Sequence, residues 1–388
     1  DTNASSTTGD LTLGVVTGGS NTLTLSTGDN VANSDITASG NISGVTTLTL
    51  ADVGGTATLS GDVDVTTLTV GNTVANVAID GDGSTITNAV SFANDGTLVL
   101  GNATDDTLTF NGGLTTTSVG GTVTLEGTID TSNDAIVLGA VTLGSNTLID
   151  TNASDTAGDI TIAAVTGGSN TLTLSMGNNV ANTDITASGA ISGVTTLTLQ
   201  NVGGTATLSG DVDVTTLAVG NTVANVALTG DGSTITNSFT PANDGSFTIG
   251  DANTDDITFN GGLTTTSVGG TVTLGGNIAA SNDAIVLGAV TLANSITIDT
   301  NASANSADLT IAAITGGSNN LTLSTGDNIS GADITASGAI SGLGNLTLAD
   351  VGGTATFSNN VAAAALSADN TVANISFTGS TNTFSAAS

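Results

Sequence analysis

A strict alternation of polar and apolar residues marks the segment Thr22-Leu23-Thr24-Leu25. A period of two places every second side chain on the same face, as in a β-strand, whereas an amphipathic helix repeats its apolar residues every three to four positions. Clusters of Gly, Asn, Asp and Ser, which favour turns, separate this run from others of the same kind. No stretch has helical periodicity, so the sequence predicts an all-β chain. The other runs are Thr47-Leu48-Thr49-Leu50, Asp62-Val63-Asp64-Val65, Thr67-Leu68-Thr69-Val70, Thr97-Leu98-Val99-Leu100 and Thr122-Val123-Thr124-Leu125.

The sequence also repeats with a long period. The segment Asp1-Thr2-Asn3-Ala4-Ser5 returns at Asp150 and again at Asp299, so the offset is 149 residues both times. Two full copies, 1–149 and 150–298, are followed by a partial and divergent third copy, 299–388. A repeat this long must contain smaller units that stack on one another. We therefore expect one continuous solenoid that runs through all three copies.

Serial short strands can build a sandwich, a barrel or a solenoid. The 53 glycines, the single proline, the 2% of aromatic residues and the long-range repetition favour the solenoid, in which each residue stacks on its equivalent in the next turn. We predict a parallel β-solenoid (β-helix) rod built from the 149-residue repeats, with Leu and Val inside and Thr and Asp outside. With roughly 20 residues and about 4.8 Å per turn, one copy would extend about 35 Å.

The charge balance excludes one class of partner. The 388 residues include 33 acids and no Lys, Arg or His, which gives a formal net charge of −33. Nucleic-acid binding depends on cationic side chains that neutralise phosphates, so a nucleic-acid partner is excluded. Salt bridges between side chains are excluded as well, and only cations from solution can neutralise the carboxylates.

The missing residue types also argue against catalysis. Most hydrolytic and transfer chemistry uses His, Lys or Cys as a base, nucleophile or electrostatic stabiliser, and this chain has none of them. The absence of Cys also excludes disulfides and thiolate metal sites. We therefore predict a non-enzymatic protein that requires no cofactor and is held together by packing and backbone hydrogen bonds.

The composition favours an extracellular location. A chain without Lys and Arg has no site for trypsin-like proteases, which suits a protein exposed to them. Apolar residues occur in short alternating groups and never reach the roughly 20 consecutive positions of a spanning helix, so we expect no membrane insertion.

Several segments resemble those of known repetitive proteins. The segment Gly101-Asn102-Ala103-Thr104-Asp105-Asp106-Thr107-Leu108-Thr109-Phe110-Asn111-Gly112, its counterpart from Gly250 to Gly261 and the stretch beginning at Thr17 look like giant repetitive bacterial or archaeal surface proteins and some phage tail fibres. The resemblance covers the whole chain and is mainly one of composition. It implies a long extracellular fibre of β-solenoid or fibre-type repeats.

Acidic pairs are the candidate metal ligands. In the segment from Asp62 to Val65 the acids alternate with valines, so both carboxylates should project from one face of a strand. Ca²⁺ binds several carboxylate and carbonyl oxygens, which makes it the cation that such pairs would suit. The candidate ligands are Asp62, Asp64, Asp211 and Asp213, together with the adjacent acids Asp105, Asp106, Asp255 and Asp256.

A solvated polar face is the simpler interpretation of the same acids. An isolated pair provides too few ligands for Ca²⁺. The third copy moreover has Asn360 and Ala362 at the positions of Asp62 and Asp64. We favour this simpler interpretation and keep the Ca²⁺ sites as the alternative.

Asn-x-Ser motifs recur at one position of the repeat. Asn3, Asn152 and Asn301 each precede Ala and Ser, which makes them acceptors for N-glycosylation. Glycans there would suit a surface fibre, although chance accounts for many such motifs in a chain so rich in Asn, Ser and Thr.

Together these features predict a structural protomer, or a repeat section, of an extracellular filament or cell-surface fibre. We expect it to associate with itself, end to end through β-strand stacking between the Asp1 and Ser388 regions, and laterally through cations. The alternative is the stalk of an adhesin or phage-type fibre whose binding tip lies outside this sequence. Ice binding by outward Thr rows is a third, weaker candidate.

Overall fold

The chain folds into a parallel β-solenoid. A computed structural model describes residues 1–154, 158–303 and 307–385, and these ranges contain 37 strands and no helix. The strands wind through about 18 turns of about 21 residues, and each strand pairs in parallel with strands of the turns before and after it. The predicted all-β, parallel solenoid is therefore confirmed. The chain divides into two compact units, Asp1–Gly204 and Thr205–Ser388.

The first unit contains eighteen complete strands and the start of a nineteenth. Most are short, and the long strand β14 continues around the corners of its turn. The strands are β1 (Leu11–Leu13), β2 (Val16–Ser26), β3 (Ile36–Ala38), β4 (Ile42–Ala51), β5 (Val53–Leu59), β6 (Val63–Val70), β7 (Val74–Ile79), β8 (Ser84–Ile86), β9 (Val90–Ser91), β10 (Leu98–Leu100), β11 (Thr107–Phe110), β12 (Leu114–Thr115), β13 (Val123–Asp130), β14 (Ile136–Ala153), β15 (Ile160–Thr166), β16 (Thr171–Gly177), β17 (Ile185–Ala187), β18 (Ile191–Gln200) and β19 (Val202–Leu208), which runs past Gly204.

The second unit has the same kind of strand. They are β20 (Val212–Val219), β21 (Val223–Leu228), β22 (Thr234–Ile235), β23 (Phe247–Ile249), β24 (Asp256–Phe259), β25 (Leu263–Thr264), β26 (Val272–Leu274), β27 (Asn277–Ala280), β28 (Ile285–Leu292), β29 (Ile296–Ala302), β30 (Leu309–Thr315), β31 (Leu321–Gly326), β32 (Ile334–Ala336), β33 (Ile340–Ala349), β34 (Thr354–Phe357), β35 (Val361–Ala368), β36 (Asn374–Phe377) and β37 (Thr383–Phe384).

Alternation of side chains builds the core. In β6, Val63, Val65 and Leu68 are at most 4% exposed, while Asp64 between them is exposed to solvent. Burying one such aliphatic side chain stabilises the fold by about 1.5–3 kcal/mol. Because the solenoid repeats this inward row in every turn, most buried apolar residues stack on apolar residues of the neighbouring turns, as Ile42 does on Val63.

Left-handed residues turn one corner of each copy. Asp52, Asn201 and Asp350 occupy equivalent positions and have φ values of 51°, 57° and 52°, and each directly precedes a fully buried valine. Asn and Asp adopt this backbone conformation more readily than other non-glycine residues. The Asn and Asp residues between the alternating runs therefore have a conformational role in addition to being polar.

The unit that stacks along the solenoid is a turn of about 21 residues. In the first unit each turn contributes one residue to each of three vertical rows, or ladders. The Thr12 ladder contains Thr12, Thr37, Thr58, Ala78, Val99, Thr124, Thr142, Thr166 and Ser192. The Asp64 ladder contains Thr17, Ser43, Asp64, Thr85, Thr109, Asp130, Asp150, Ser175 and Gln200. The Thr24 ladder contains Thr24, Thr49, Thr69, Ser91, Thr115, Val137, Thr161 and Thr186, where the bridge between the next residues, Val70 and Phe92, aligns Thr69 with Ser91.

The sequence repeat is out of phase with these ladders. Thr161 is 149 residues after Thr12, yet it lies in the Thr24 ladder. From Thr12 the chain makes six turns to Thr142, then passes the Asp64 ladder at Asp150 and reaches the Thr24 ladder at Thr161. A repeat therefore spans six turns and two further sides, and in the first unit a motif moves to a different side from one copy to the next.

Candidate cation and glycosylation sites

The first predicted pair is split between a strand and a corner. Asp64 projects from β6, and its backbone pairs with Ser43 and Thr85 of the adjacent turns. Asp62 lies just before β6, and its Oδ2 accepts a hydrogen bond of 2.8 Å from Nδ2 of Asn41 in the preceding turn. One member of the pair is therefore held in a cross-turn hydrogen bond and the other is exposed.

The equivalent pair in the second unit keeps the exposed strand acid but not the cross-turn hydrogen bond from Asn41, because Ala190 occupies the position of that asparagine. Asp213 is exposed in β20 and pairs with Thr234 of the next turn. Asp211 is also exposed, and its Oδ2 lies 3.6 Å from the point where a Cβ on Gly232 would be. The glycine thus leaves the Asp211 carboxylate room over the following turn.

Asp106 and Asp255 are loop caps. Both are 6% exposed. Oδ2 of Asp106 accepts hydrogen bonds from the backbone N–H groups of Asn102 (2.6 Å) and Ala103 (3.0 Å). Oδ2 of Asp255 accepts the corresponding bonds, of 2.8 and 2.9 Å, from residues 251 and 252. Such bonds satisfy backbone donors that the corner would otherwise leave without partners.

The remaining acids of the doublets Asp105-Asp106 and Asp255-Asp256 do not occupy equivalent positions of the repeat. In the 149-residue frame Asp106 corresponds to Asp255, whereas Asp105 corresponds to Thr254 and Asp256 corresponds to Thr107. Asp105 and Asp256 are both exposed. Oδ1 of Asp256 accepts a hydrogen bond of 2.9 Å from Nδ2 of Asn277 in the next turn.

Within residues 1–154, 158–303 and 307–385, no group of three or more acidic side chains could hold a metal ion. The eight candidate Ca²⁺ ligands thus lie as exposed residues, cross-turn partners or loop caps, and their binding of Ca²⁺ stays a prediction. In the same ranges no helix is long and apolar enough to cross a membrane.

The three glycosylation candidates share one local structure. Asn3, Asn152 and Asn301 are exposed and have φ values of 50°, 47° and 46°. The backbone N–H of each donates to Oδ1 of the Asp two residues earlier, at 2.7 to 2.8 Å. This is the Asx-turn geometry that Asp residues favour. The repeated Asp-Thr-Asn segment is therefore a repeated turn.

The side-chain amides of two of these asparagines bond to the preceding turn. Nδ2 of Asn152 donates to the carbonyl oxygen of Thr131 at 3.2 Å, and Nδ2 of Asn301 donates to that of Ala280 at 3.0 Å. A glycan attaches to this nitrogen, so glycosylation would have to replace or tolerate these bonds.

Sequence reasoning missed a second set of acids in the first unit. Asp130 and Asp150 are direct neighbours in the Asp64 ladder. Asp80 and Glu126 lie two turns apart at one corner, close enough to Asp106 for its charge to affect both. The only sequence signal for the pairing of Asp130 with Asp150 is their spacing of 20 residues, which is about one turn.

Shallow grooves accompany some of the ladders. One of about 370 Å³ lies beside Asp64 in the first unit, and one of about 450 Å³ lies beside Ala279 and Asp299 in the second. Thr, Asp and Asn dominate their polar lining. The hydroxyl, amide and carboxylate groups of such residues can hydrogen-bond to water or sugars, and the carboxylates can bind cations.

Comparison with known proteins gives no relative. No protein-family model matches the chain, and neither a curated protein nor a solved structure matches it. The resemblance to giant surface proteins and phage fibres therefore stays a prediction.

Proposed function

We propose that this chain is a structural, non-enzymatic section of an extracellular filament or cell-surface fibre, a rod built from the 149-residue repeats. The observation that carries the proposal is the continuity of the ladders. In the first unit, nine successive residues of the Asp64 ladder pair in register from Thr17 to Gln200. Stacked backbone hydrogen bonds over an aliphatic core provide rigidity without disulfides or salt bridges.

The phase difference between repeat and turn supports a structural role. A recognition face, such as a Thr row that orders water at an ice surface, needs one residue type on one side over many turns. In the Thr12 ladder the row Thr12, Thr37, Thr58 is followed by Ala78 and Val99. In the first unit a repeat advances by six turns and two sides, so a motif of the first copy lies on a different side in the second copy. Thr nevertheless stays the commonest residue of the Thr24 ladder, where Val137 is the one apolar interruption, so the change of side concerns motifs and not Thr alone.

Self-association is the proposed mode of assembly. A solenoid end exposes unpaired strand edges, which another chain can extend by β-strand addition. We propose that the Asp1 region of one molecule stacks on the Ser388 region of another, although residues 386–388 lie outside the described chain. Ca²⁺ and other cations would screen the acids and bridge neighbouring rods. Glycans at Asn3, Asn152 and Asn301 would add a hydrophilic coat.

The second candidate function is a stalk in a longer adhesin or phage-type fibre. The same ladders would support it, because a stalk also needs a rigid repetitive section. The difference lies in the ends: a stalk is continued by its own chain, whereas a protomer recruits another molecule.

Negative-stain electron microscopy of the purified chain, with and without millimolar Ca²⁺, tests the proposal. Long filaments are expected if the chain is a protomer, and bundles only with Ca²⁺ if the exposed acids bridge rods. Short isolated rods in both conditions would favour the stalk, and globular particles would contradict both functions.

A matched pair of variants separates site-specific bridging from general screening. Replacement of Asp62, Asp64, Asp211 and Asp213 by Asn should abolish Ca²⁺-dependent bundling. The control replaces four other exposed acids by Asn and keeps the same net charge as the first variant, so it should still bundle. These control positions are Asp29, Asp95, Asp244 and Asp327.

A further inference from the structure

Two carboxylates face each other across adjacent turns of the first copy. Asp130 in β13 pairs directly with Asp150 in β14, and both side chains are half-buried. Neighbouring strands of a sheet are about 4.8 Å apart, and like charges directly opposite each other destabilise the pairing. On the other side of Asp130 the ladder has the uncharged Thr109.

A second acidic contact lies at a corner of the same region. The pairs Ile79–Leu100 and Leu100–Leu125 place Asp80, Gly101 and Glu126 one after another on three successive turns. Gly101 has no side chain to separate the two acids, and a Cβ there would lie 2.3 Å from the carbonyl oxygen of Glu126. The buried Asp106 completes the group.

The second copy lacks both acidic contacts, because uncharged residues replace three of the acids. The positions of Asp80, Glu126 and Asp130 are occupied by Thr229, Gly275 and Ala279. In the second unit Asp299, the equivalent of Asp150, pairs with Ala279. The loop cap itself is retained as Asp255. The chain thus contains the equivalent turns with and without these two acidic contacts.

Burial and repulsion raise the pKa values of the three acids that only the first copy has. Burial, with a contribution from Asp150, raises the pKa of Asp130 to about 6. Burial and the Asp106 charge raise the pKa of Asp80, and burial together with Asp106 and Asp80 raises that of Glu126. Raised pKa values mean that ionisation of these groups weakens the folded state.

We propose that residues 80–150 are a charge-sensitive segment of the solenoid, whose turns open more readily when their carboxylates are ionised and unscreened and close when acid or salt suppresses the repulsion. Residues 229–299, the equivalent turns of the second copy, respond much less. No cationic side chain faces the segment, since the chain has none. Its titratable groups are Asp80, Asp82, Asp95, Asp105, Asp106, Glu126, Asp130, Asp134 and Asp150.

The role of such a segment follows from its position. Local opening in a solenoid breaks contacts only with neighbouring turns, so one weak segment can loosen while the turns around it stay paired. The segment would therefore be the place where acidity or salt changes the stiffness of the chain. This inference does not depend on the proposed filament, because it concerns a single molecule.

Hydrogen exchange of the full chain, read out on peptic peptides, tests the proposal. The protection of peptides from residues 123–150 and 272–299 is compared at about pH 4.5 and about pH 7.5, after correction for intrinsic exchange rates. A full shift of two pKa units corresponds to about a hundredfold change in opening, and solvent screening of half-exposed groups reduces this to about tenfold. We expect the protection of 123–150 to fall by about this tenfold factor at the higher pH and to recover in part in about 1 M NaCl. The protection of 272–299 should change little between the two pH values.

Three variants decide whether the acids cause the difference. Asp130→Ala copies the second repeat and should restore protection of 123–150 at the higher pH, and Asp130→Asn should do so without a change in side-chain volume. Ala279→Asp places a carboxylate opposite Asp299 and should transfer the pH response to 272–299. Equal pH responses in the two wild-type segments, or an unchanged response in Asp130→Ala and Asp130→Asn, would overturn the proposal.

Discussion

Asp130 and Asp150 pair directly on adjacent turns of the first unit, whereas their equivalents in the second unit are Ala279 and Asp299. One chain therefore contains the same solenoid turn with and without an opposed pair of carboxylates. Because both positions recur 149 residues later, the second copy supplies controls for substitutions in the first.

Neutralising Asp130 should stabilise the fold at neutral pH. The pKa of this half-buried group is raised to about 6, so between about pH 4 and pH 6 the folded chain keeps a proton that the unfolded chain has released. The stability that depends on this proton is present below about pH 4 and is lost as the pH rises through 6. Asp130→Ala should therefore raise stability by about 1 kcal/mol at pH 7, after allowance for solvent screening, and have little effect near pH 3.5. Urea denaturation of Asp130→Ala and wild type at pH 7 and near pH 3.5 measures the effect of the substitution at each pH. An equal stabilisation at both pH values would contradict the electrostatic cause.

The loop caps should matter more than the exposed acids beside them. Asp106→Ala removes the acceptor for two backbone N–H groups and should cost about 1–3 kcal/mol, as should Asp255→Ala in the second unit. Asp105→Ala, at an exposed position one residue away, should stay within about 0.5 kcal/mol of wild type. Denaturation midpoints with local hydrogen exchange around residues 101–107 check this. Equal effects of Asp105→Ala and Asp106→Ala would show that the cap is unimportant.

The aromatic residues should be the most sensitive core positions. Phe259 is fully buried and stacks on Phe239 with ring centroids 5.7 Å apart. Phe259→Ala should cost about 3–5 kcal/mol, because it loses apolar burial and leaves a cavity. Val15→Ala, at a position 76% exposed, is the control and should change stability by less than about 0.5 kcal/mol. Thermal denaturation distinguishes the two, and a loss below about 1 kcal/mol for Phe259→Ala would contradict the packed core.

Two glycines should respond oppositely to the same substitution. A Cβ on Gly54 would lie 2.2 Å from the carbonyl oxygen of Val31 in the preceding turn, whereas nothing lies within 4 Å of a Cβ on Gly71. Gly54→Ala should therefore cost about 1–3 kcal/mol, because the backbones of two turns must separate. Gly71→Ala should be neutral or stabilise by up to about 1 kcal/mol through a smaller entropy of the unfolded chain. Denaturation of both variants under one condition measures their stabilities. Gly54→Ala should be the less stable of the two, because only Gly54 lies against the backbone of a neighbouring turn.

Local patterns in the sequence predicted the strands well. The alternation of Asp62-Val63-Asp64-Val65 identified the inward and outward residues of β6, because a period of two leaves only that choice. The turn length was harder to predict, because corners of different size separate the strands. Thr22 pairs with Thr47 and Thr47 with Thr67, spacings of 25 and 20 residues within one ladder.

The neighbours of a side chain were not predictable for the same reason. The contact between Asp130 and Asp150 depends on the register of adjacent turns, which depends in turn on every corner between them. The doublet Asp105-Asp106 was interpreted as a candidate Ca²⁺ ligand, while Asp106 caps its own loop. Its sequence signal, an Asp four residues after the first capped N–H, is too common in turn-rich chains to be specific.

Cryo-electron microscopy of the purified chain at high concentration, in Ca²⁺, tests the central claim of a structural fibre most directly. The account predicts elongated particles that join into filaments, with a spacing of about 4.8 Å along the long axis, because the turns stack in that direction. Compact particles without this axial spacing at every concentration would contradict it.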